Sequence, residues 1–120
     1  AVWNKEEPFI IQKALHKVRP SKALLPAYLS FCLAADANTG RLEKYFTGST
    51  IKHFTGQSLR TYQFPLPPLG EQYRIISEVE RRLSVVQELE GTIEANLRRA
   101  GRLRQAVLKR AFEGRLVEQI

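Results

Sequence analysis

Apolar residues recur at intervals of three and four along the second half of the chain. Residues 71–112 contain no proline, and helix-forming residues dominate there. This spacing places the apolar side chains in one stripe along an amphipathic helix, and it predicts a surface that pairs with another helix. The stripe consists of Ile76, Val79, Leu83, Val86, Leu89, Ile93, Leu97, Ala100, Leu103, Val107 and Ala111.

The stripe is longer than the rest of the chain can cover. Gly91 and Gly101 each weaken a helix by about 1 kcal/mol relative to alanine, but the stripe continues through both, so we predict one helix that ends near Gly114. At ~1.5 Å per residue, a helix over residues 71–112 is about 63 Å long. A globule of about 70 residues has a radius of gyration of about 11 Å. We therefore expect a second helix to cover much of the stripe.

Three prolines at positions 65, 67 and 68 separate this helix from the first half of the chain. Proline lacks an N–H group and restricts the residue before it, so the segment 64–70 is predicted to be an extended connector. The sequence thus divides into a domain at residues 1–69 and a long helix with a short tail at residues 70–120.

The first half has the pattern of mixed secondary structure. Residues 9–18 are β-prone enough for a strand, and residues 51–54 for a shorter one. A short helix is predicted from Pro26 until the stop at residues 38–40, a further helical turn at 41–46, and a brief helix capped by Thr55. The predicted fold class is α+β, a small mixed partial domain followed by one long coiled-coil helix.

Charge favours an anionic partner. The net charge is +7, with 19 Lys and Arg against 12 Asp and Glu, which favours nucleic acid first and an acidic membrane surface second. The chain contains no Met and begins at Ala1, as expected of a processed chain or a fragment. No signal peptide and no uncharged apolar stretch of roughly 18 residues is present, so a cytoplasmic location without membrane contact is predicted.

The sequence contains no recognisable catalytic or metal-binding group of residues. Its single cysteine, Cys32, excludes an internal disulfide and a cysteine-based zinc cluster, and it lies in an apolar run typical of buried positions. His16 and His53 lie in different segments without a second metal ligand nearby. We therefore predict a protein that is not an enzyme, with no cofactor and no metal.

Residues 44–60 are the candidate DNA-contacting segment. Lys and Arg neutralise phosphates, Ser, Thr and Gln bond phosphate oxygens or base edges, and Gly48 and Gly56 allow close backbone approach. The alternative is that this segment is a solvated polar turn. The candidate residues are Lys44, Ser49, Thr50, Lys52, His53, Thr55, Gln57 and Arg60.

Four segments resemble the specificity subunits of type I restriction–modification enzymes. Residues 48–54 and 64–75 are similar to the end of a target-recognition domain, with its G-S-T-x-K-like loop and P-x-P-P-L-x-E-Q-x-R-I motif. Residues 103–117 are similar to the usual C-terminal ending of the family, and residues 9–20 to a strand that leads to an Arg-Pro pair. A full subunit is several times longer, and one recognition domain usually has more sequence before Ala1.

The resemblance implies a DNA-recognition protein that catalyses nothing alone. In the family, two target-recognition domains each read half of a split double-stranded DNA sequence, and conserved helices pack antiparallel between them. Methylation subunits bind this scaffold, and motor subunits add cleavage. Here the resemblance implies DNA contact at residues 49–53, with Lys52 on a phosphate, and a spacer and assembly role for residues 71–112.

The charges of the long helix favour antiparallel pairing. Residues 71–97 carry three arginines against six glutamates, a net charge of −3, whereas residues 98–112 carry six cations and no acid. Two antiparallel copies would set acidic halves against basic halves, so the chain is predicted to form a homodimer. The same polarity also complements the helix dipole. The alternative function is a purely structural coiled-coil dimerisation module with incidental basic charge; a membrane-surface helix is disfavoured by the six glutamates.

Overall fold

The computed structural model describes residues 2–8, 10–12 and 15–117. Within these residues the regular structure is helical. The chain forms two compact units, Ala1–Glu78 and Val79–Ile120. In chain order the elements are α1 at Pro26–Asn38, a 3₁₀ turn at Glu43–Tyr45, α2 at Gly56–Thr61 and α3 at Leu69–Phe112.

The α+β prediction is wrong. The described residues contain no β-strand, and the only paired position is an isolated antiparallel bridge between Thr47 and His53. The strand predicted at residues 51–54 pairs only through His53, which exchanges backbone hydrogen bonds with Thr47. A strand exists only where successive backbone groups find partners on a neighbouring chain segment, and β-prone side chains alone do not supply them.

The other predicted strand fails for the same reason. Phe9, Lys13 and Ala14 of the segment 9–18 lie outside the described residues. Residues 10–12 and 15–18 have no strand pairing, and Ile10 is fully exposed. An exposed segment without a neighbouring strand gains nothing from β propensity, which reflects packing on a half-buried sheet surface.

Helix α1 begins and ends where the sequence predicts. Pro26 stands in the first turn, where its missing N–H group costs nothing. The helix ends at Asn38, and the Thr39 hydroxyl donates to the carbonyl oxygen of Ala35 at 3.0 Å. Gly40 follows with a φ of +77°, a conformation that glycine adopts without steric penalty.

An aromatic cluster forms the core of the first unit. Leu29, Leu42 and Tyr62 are buried, and the rings of Tyr62 and Phe64 stack with their centroids 5.3 Å apart. The Tyr62 hydroxyl donates a 2.8 Å hydrogen bond to the Asp36 carboxylate, so the buried phenol has a polar partner. Burial, followed by this hydrogen bond, raises the pKa of Tyr62.

The proline connector leads directly into α3, which begins at Leu69, two residues before the predicted start. In the first turn, Gln72 has no exposed surface. Its side-chain oxygen accepts from the Leu25 N–H at 2.9 Å, and its nitrogen donates to the carbonyl oxygens of Ala23 at 2.9 Å and Pro67 at 2.8 Å. Gln72 thereby fastens the start of α3 to the segment before α1.

The prediction of one long helix is confirmed, since α3 continues through Gly91 and Gly101 as a single element. The helix ends at Phe112, just before Gly114, the predicted stop, whose φ is +68°. The N–H of Arg115 donates to the Arg110 carbonyl at 2.8 Å, and the N–H of Gly114 donates to the Ala111 carbonyl at 3.2 Å. This pair of hydrogen bonds is the Schellman arrangement, which satisfies carbonyls at a helix end.

Candidate nucleic-acid interface

A short closed loop carries three of the candidate residues, and a fourth, His53, helps to close it. Thr47 and His53 exchange two backbone hydrogen bonds, with N···O distances of 2.9 and 2.8 Å, and these close the loop over residues 48–52. Ser49, Thr50, Lys52 and the His53 side chain are all exposed. Because both ends of the loop are fixed, its exposed polar side chains are held in place where a ligand could contact them.

Gly48 determines the shape of this loop. Its φ of +100° is strained for any residue with a side chain. A Cβ atom at this position would also collide with the backbone carbonyl oxygen of Ile51. The loop therefore requires glycine on two separate grounds, conformation and space.

Helix α2 presents two more candidates and uses a third for its own structure. Gln57 and Arg60 are exposed. The Thr55 hydroxyl oxygen accepts from the Ser58 N–H at 3.1 Å, which confirms the predicted cap. It also lies 3.0 Å from the Ser58 hydroxyl. Thr55 thus has a structural task, and DNA contact by its side chain stays a prediction.

Lys44 lies on the 3₁₀ turn, and its ammonium group is 5.0 Å from the centre of the Tyr45 ring. The Tyr45 ring meets Phe54 edge-on at 6.5 Å and Tyr62 edge-on at 5.5 Å. Phe46 also meets Phe54 edge-on, at 6.2 Å. These ring contacts join the turn that carries Lys44 to the segment that follows the loop.

His16 supports the same region from the N-terminal segment, although the sequence did not indicate which residue it contacts. Its Nε2 atom lies 2.9 Å from the carbonyl oxygen of Phe54. Because a carbonyl oxygen only accepts, Nε2 carries the proton in this contact. The His16 ring also lies beside the start of α2, where a Cβ added at Gly56 would stand 3.9 Å from it, an ordinary van der Waals distance.

An open groove of about 420 Å³ lies beside Lys44. The Arg41 guanidinium is 3.8 Å from the Asp36 carboxylate at its edge. Burial raises the pKa of the Cys32 thiol, which disfavours the reactive thiolate, as expected for a structural cysteine. The residues that line the groove include Tyr28, Cys32, Asp36, Arg41, Lys44 and Tyr45.

The described part of the chain offers no metal site, since no three His, Cys, Asp or Glu residues come together there. Within residues 2–8, 10–12 and 15–117, no helix combines the length and apolar character that a membrane span requires.

Comparison with known proteins identifies the family. Residues 1–99 match the model of the type I restriction modification DNA specificity domain. The chain belongs to this family. The match includes the closed loop, α2, the proline connector and most of α3, and it confirms the resemblance seen in the sequence motifs.

Curated relatives are specificity subunits of type I restriction enzymes. The chain is 36% identical over 95 residues to the EcoBI specificity subunit of Escherichia coli, covering 79% of this chain and 18% of the relative. It is 29% identical over 106 residues to the EcoKI specificity subunit of Escherichia coli strain K12, covering 88% and 23% respectively. The StySPI specificity subunit of Salmonella potsdam is 36% identical over 89 residues, covering 69% and 19%.

The chain therefore spans only about a fifth of the length of these relatives. No solved structure matches it significantly. The relatives are named as specificity subunits, which agrees with the prediction of a recognition protein that is not itself an enzyme.

Proposed function

We propose that this chain takes part in DNA recognition within a type I restriction–modification complex. The first unit contributes to reading one half of a split target, and α3 acts as the spacer and assembly helix. Family membership across residues 1–99 is the observation that carries this proposal. The methylation and motor subunits of such a complex are the proposed protein partners.

The closed loop is the proposed DNA contact of the first unit. Lys52 is exposed on a loop whose ends are fixed by the Thr47–His53 bridge, so its ammonium group can reach a phosphate at little cost in backbone order. Ser49 and Thr50 add hydroxyl groups that bond phosphate oxygens or base edges. Lys44, His53, Gln57 and Arg60 add exposed polar groups on neighbouring segments.

The second unit supports the proposed antiparallel pairing. All stripe residues from Leu83 to Ala111 are exposed, with Leu83 at 47% and Leu97 at 67%. An isolated amphipathic helix gains little stability in water, because its apolar face remains hydrated. A second α3 running in the opposite direction would cover both stripes and place the acidic half of each helix against the basic half of the other.

Salt-dependent DNA binding tests the recognition role. We expect Lys52→Ala to weaken binding of a DNA duplex. The slope of log affinity against log salt is negative, and its magnitude should fall by about 0.9, the contribution of one phosphate contact. Lys22→Ala removes another exposed lysine outside the candidate segment and serves as the control. If the two variants bind with the same affinity and slope, Lys52 is not in the interface.

The alternative function is a structural dimerisation module, and the exposed stripe is the observation that supports it. DNA binding by a chain shortened to the first unit distinguishes the two functions. That chain has to end after Glu78 rather than at the proline connector, because Gln72 is buried within the first unit. Duplex binding by the folded shortened chain supports recognition, whereas dimerisation of the whole chain without any DNA binding supports the structural module.

A further inference from the structure

The last turns of α3 carry positive charge both beside the stripe, where a paired helix can contact it, and opposite the stripe, where a paired helix cannot. Residues 98–112 contain six cations and no acid, and all of them are exposed. Three of these cations, Arg98, Arg102 and Lys109, form what we call the cationic back face.

Helical geometry places this face away from the stripe. Arg98, Arg102 and Lys109 follow each other at intervals of four and seven residues, so at 3.6 residues per turn they lie along one line of α3. At about 100° per residue, that line stands opposite the stripe formed by Leu97, Leu103 and Val107 and their neighbours. A helix paired on the stripe therefore leaves the cationic back face in solvent.

Local ion pairs do not neutralise the face. Arg98 lies 3.4 Å from Glu94, and Lys109 lies 3.8 Å from Glu113. The side chains of Arg98 and Lys109 are 67% and 76% exposed, and ion pairs at such positions contribute little because water screens them. Among the described residues, Arg102 has no carboxylate within ion-pair distance. These guanidinium and ammonium groups remain available to a stronger anionic partner.

We propose that the cationic back face is a second, sequence-independent contact with the phosphate backbone of duplex DNA, separate from the closed loop. This inference rests on the proposed function only in its choice of DNA as the anion. The three cations span about 16 Å of helix at ~1.5 Å per residue. Duplex DNA carries one charge per about 1.7 Å of its axis, so phosphates are available along the whole face. Arginine suits this contact because its planar fork of donors matches phosphate oxygens.

The test compares two triple variants of the full chain for binding to a duplex over a series of salt concentrations. The first is Arg98→Ala, Arg102→Ala, Lys109→Ala. The control, Arg19→Ala, Lys22→Ala, Arg74→Ala, removes the same charge from exposed cations elsewhere. Alanine is the best helix former, so α3 is retained, and circular dichroism verifies this.

We expect the back-face variant to lower the magnitude of the salt slope by about 2.7, at about 0.9 for each lost phosphate contact, and the control to lower it far less. Equal slopes for the two triple variants overturn the proposal. A back-face variant that keeps its DNA slope but loses binding to polyglutamate also overturns it and identifies an acidic protein as the partner.

The Lys52→Ala arm separates this proposal from the recognition role of the loop. If the salt slope changes in Lys52→Ala but not in the back-face variant, the closed loop contacts DNA and the cationic back face does not. If the salt slope changes only in the back-face variant, the cationic back face contacts DNA and Lys52 does not.

Discussion

The substitution Gln72→Glu exchanges one amide nitrogen for an oxygen at a side chain with no exposed surface. The new side chain keeps the acceptor for the Leu25 N–H group. It loses the donor that now serves the carbonyl oxygens of Ala23 and Pro67, and it points a second oxygen at both of them. The shape and volume of the side chain are almost unchanged, so any loss of stability comes from replacing a hydrogen-bond donor with an acceptor.

The expected loss of stability follows from these contacts. Each carbonyl left without a donor costs about 1 to 3 kcal/mol. Both hydrogen bonds are only part-buried, so we take the lower half of that range, which gives a loss of about 2 to 4 kcal/mol for the pair. At about 4 to 8 °C per kcal/mol for a unit of this size, the melting temperature of the first unit falls by roughly 10 °C or more.

The loss depends on pH in a direction that identifies its cause. Burial between carbonyl oxygens raises the pKa of the introduced carboxyl group above its unfolded value of about 4.3. A group whose pKa is raised on folding contributes stability below its unfolded pKa and loses that contribution as the pH rises through its folded pKa. We therefore expect the variant to be closest to the parent in acid and furthest from it at neutral pH.

Near-ultraviolet circular dichroism is the suitable assay, because the signal of Tyr62 and Phe64 reports on the first unit, whereas the far-ultraviolet signal is dominated by α3. The control is Gln87→Glu, the same chemical change at an exposed position of the same helix. If the two variants unfold at the same temperature at neutral pH, the hydrogen bonds of Gln72 do not hold the first unit together.

Two further substitutions test the loop and the stripe. Gly48→Ala forces a side chain into a strained conformation and against the Ile51 carbonyl, so we expect weaker duplex binding and a stability loss of about 1 to 3 kcal/mol. Gly40 also has a positive φ, but a Cβ there would meet nothing within 4 Å, so Gly40→Ala measures the backbone strain alone. An equal loss of stability in the two variants would show that the collision with the Ile51 carbonyl adds nothing. Leu83→Asp with Leu97→Asp places unpaired carboxylates in the proposed seam, so light scattering should show monomers. Gln87→Asp with Gln105→Asp, which lie off the stripe, should leave the dimer intact, and a parent chain that is already monomeric contradicts the pairing.

The helices of this protein were predictable because their signals are local. Pro26, the Thr55 cap and Gly114 mark helix ends through their own backbone chemistry, and the stripe repeats often enough to outweigh Gly91 and Gly101. The predicted strands failed because strand pairing is not local. Residues 51–54 have suitable side chains, but their pairing depends on where the turn at Gly48 sends the chain.

The candidate DNA segment was predictable in composition and only partly in arrangement. The sequence indicates which residues between 44 and 60 are polar, but not that Thr47 and His53 close a loop, nor that His16 bonds the Phe54 carbonyl. Gln72 stands in the motif that carries the family resemblance, yet its hydrogen-bond partners were not predictable. Helical spacing places it on the side of the stripe, four and seven residues before Ile76 and Val79, but only the approach of residues 23–25 and 67 gives its amide three partners.

The hydrogen bonds of Gln72 join residues 47 and 49 positions apart in the chain, and this separation constrains the order in which the protein folds during synthesis. Contacts distant in sequence form late, because the intervening chain must be ordered first. A ribosome that has released α1 and the closed loop has not yet released the residue that secures them. The first unit therefore completes its structure only after the first turn of α3 has emerged, so a translational pause just before Gln72 would leave this unit without the hydrogen bonds that join α3 to Ala23 and Leu25.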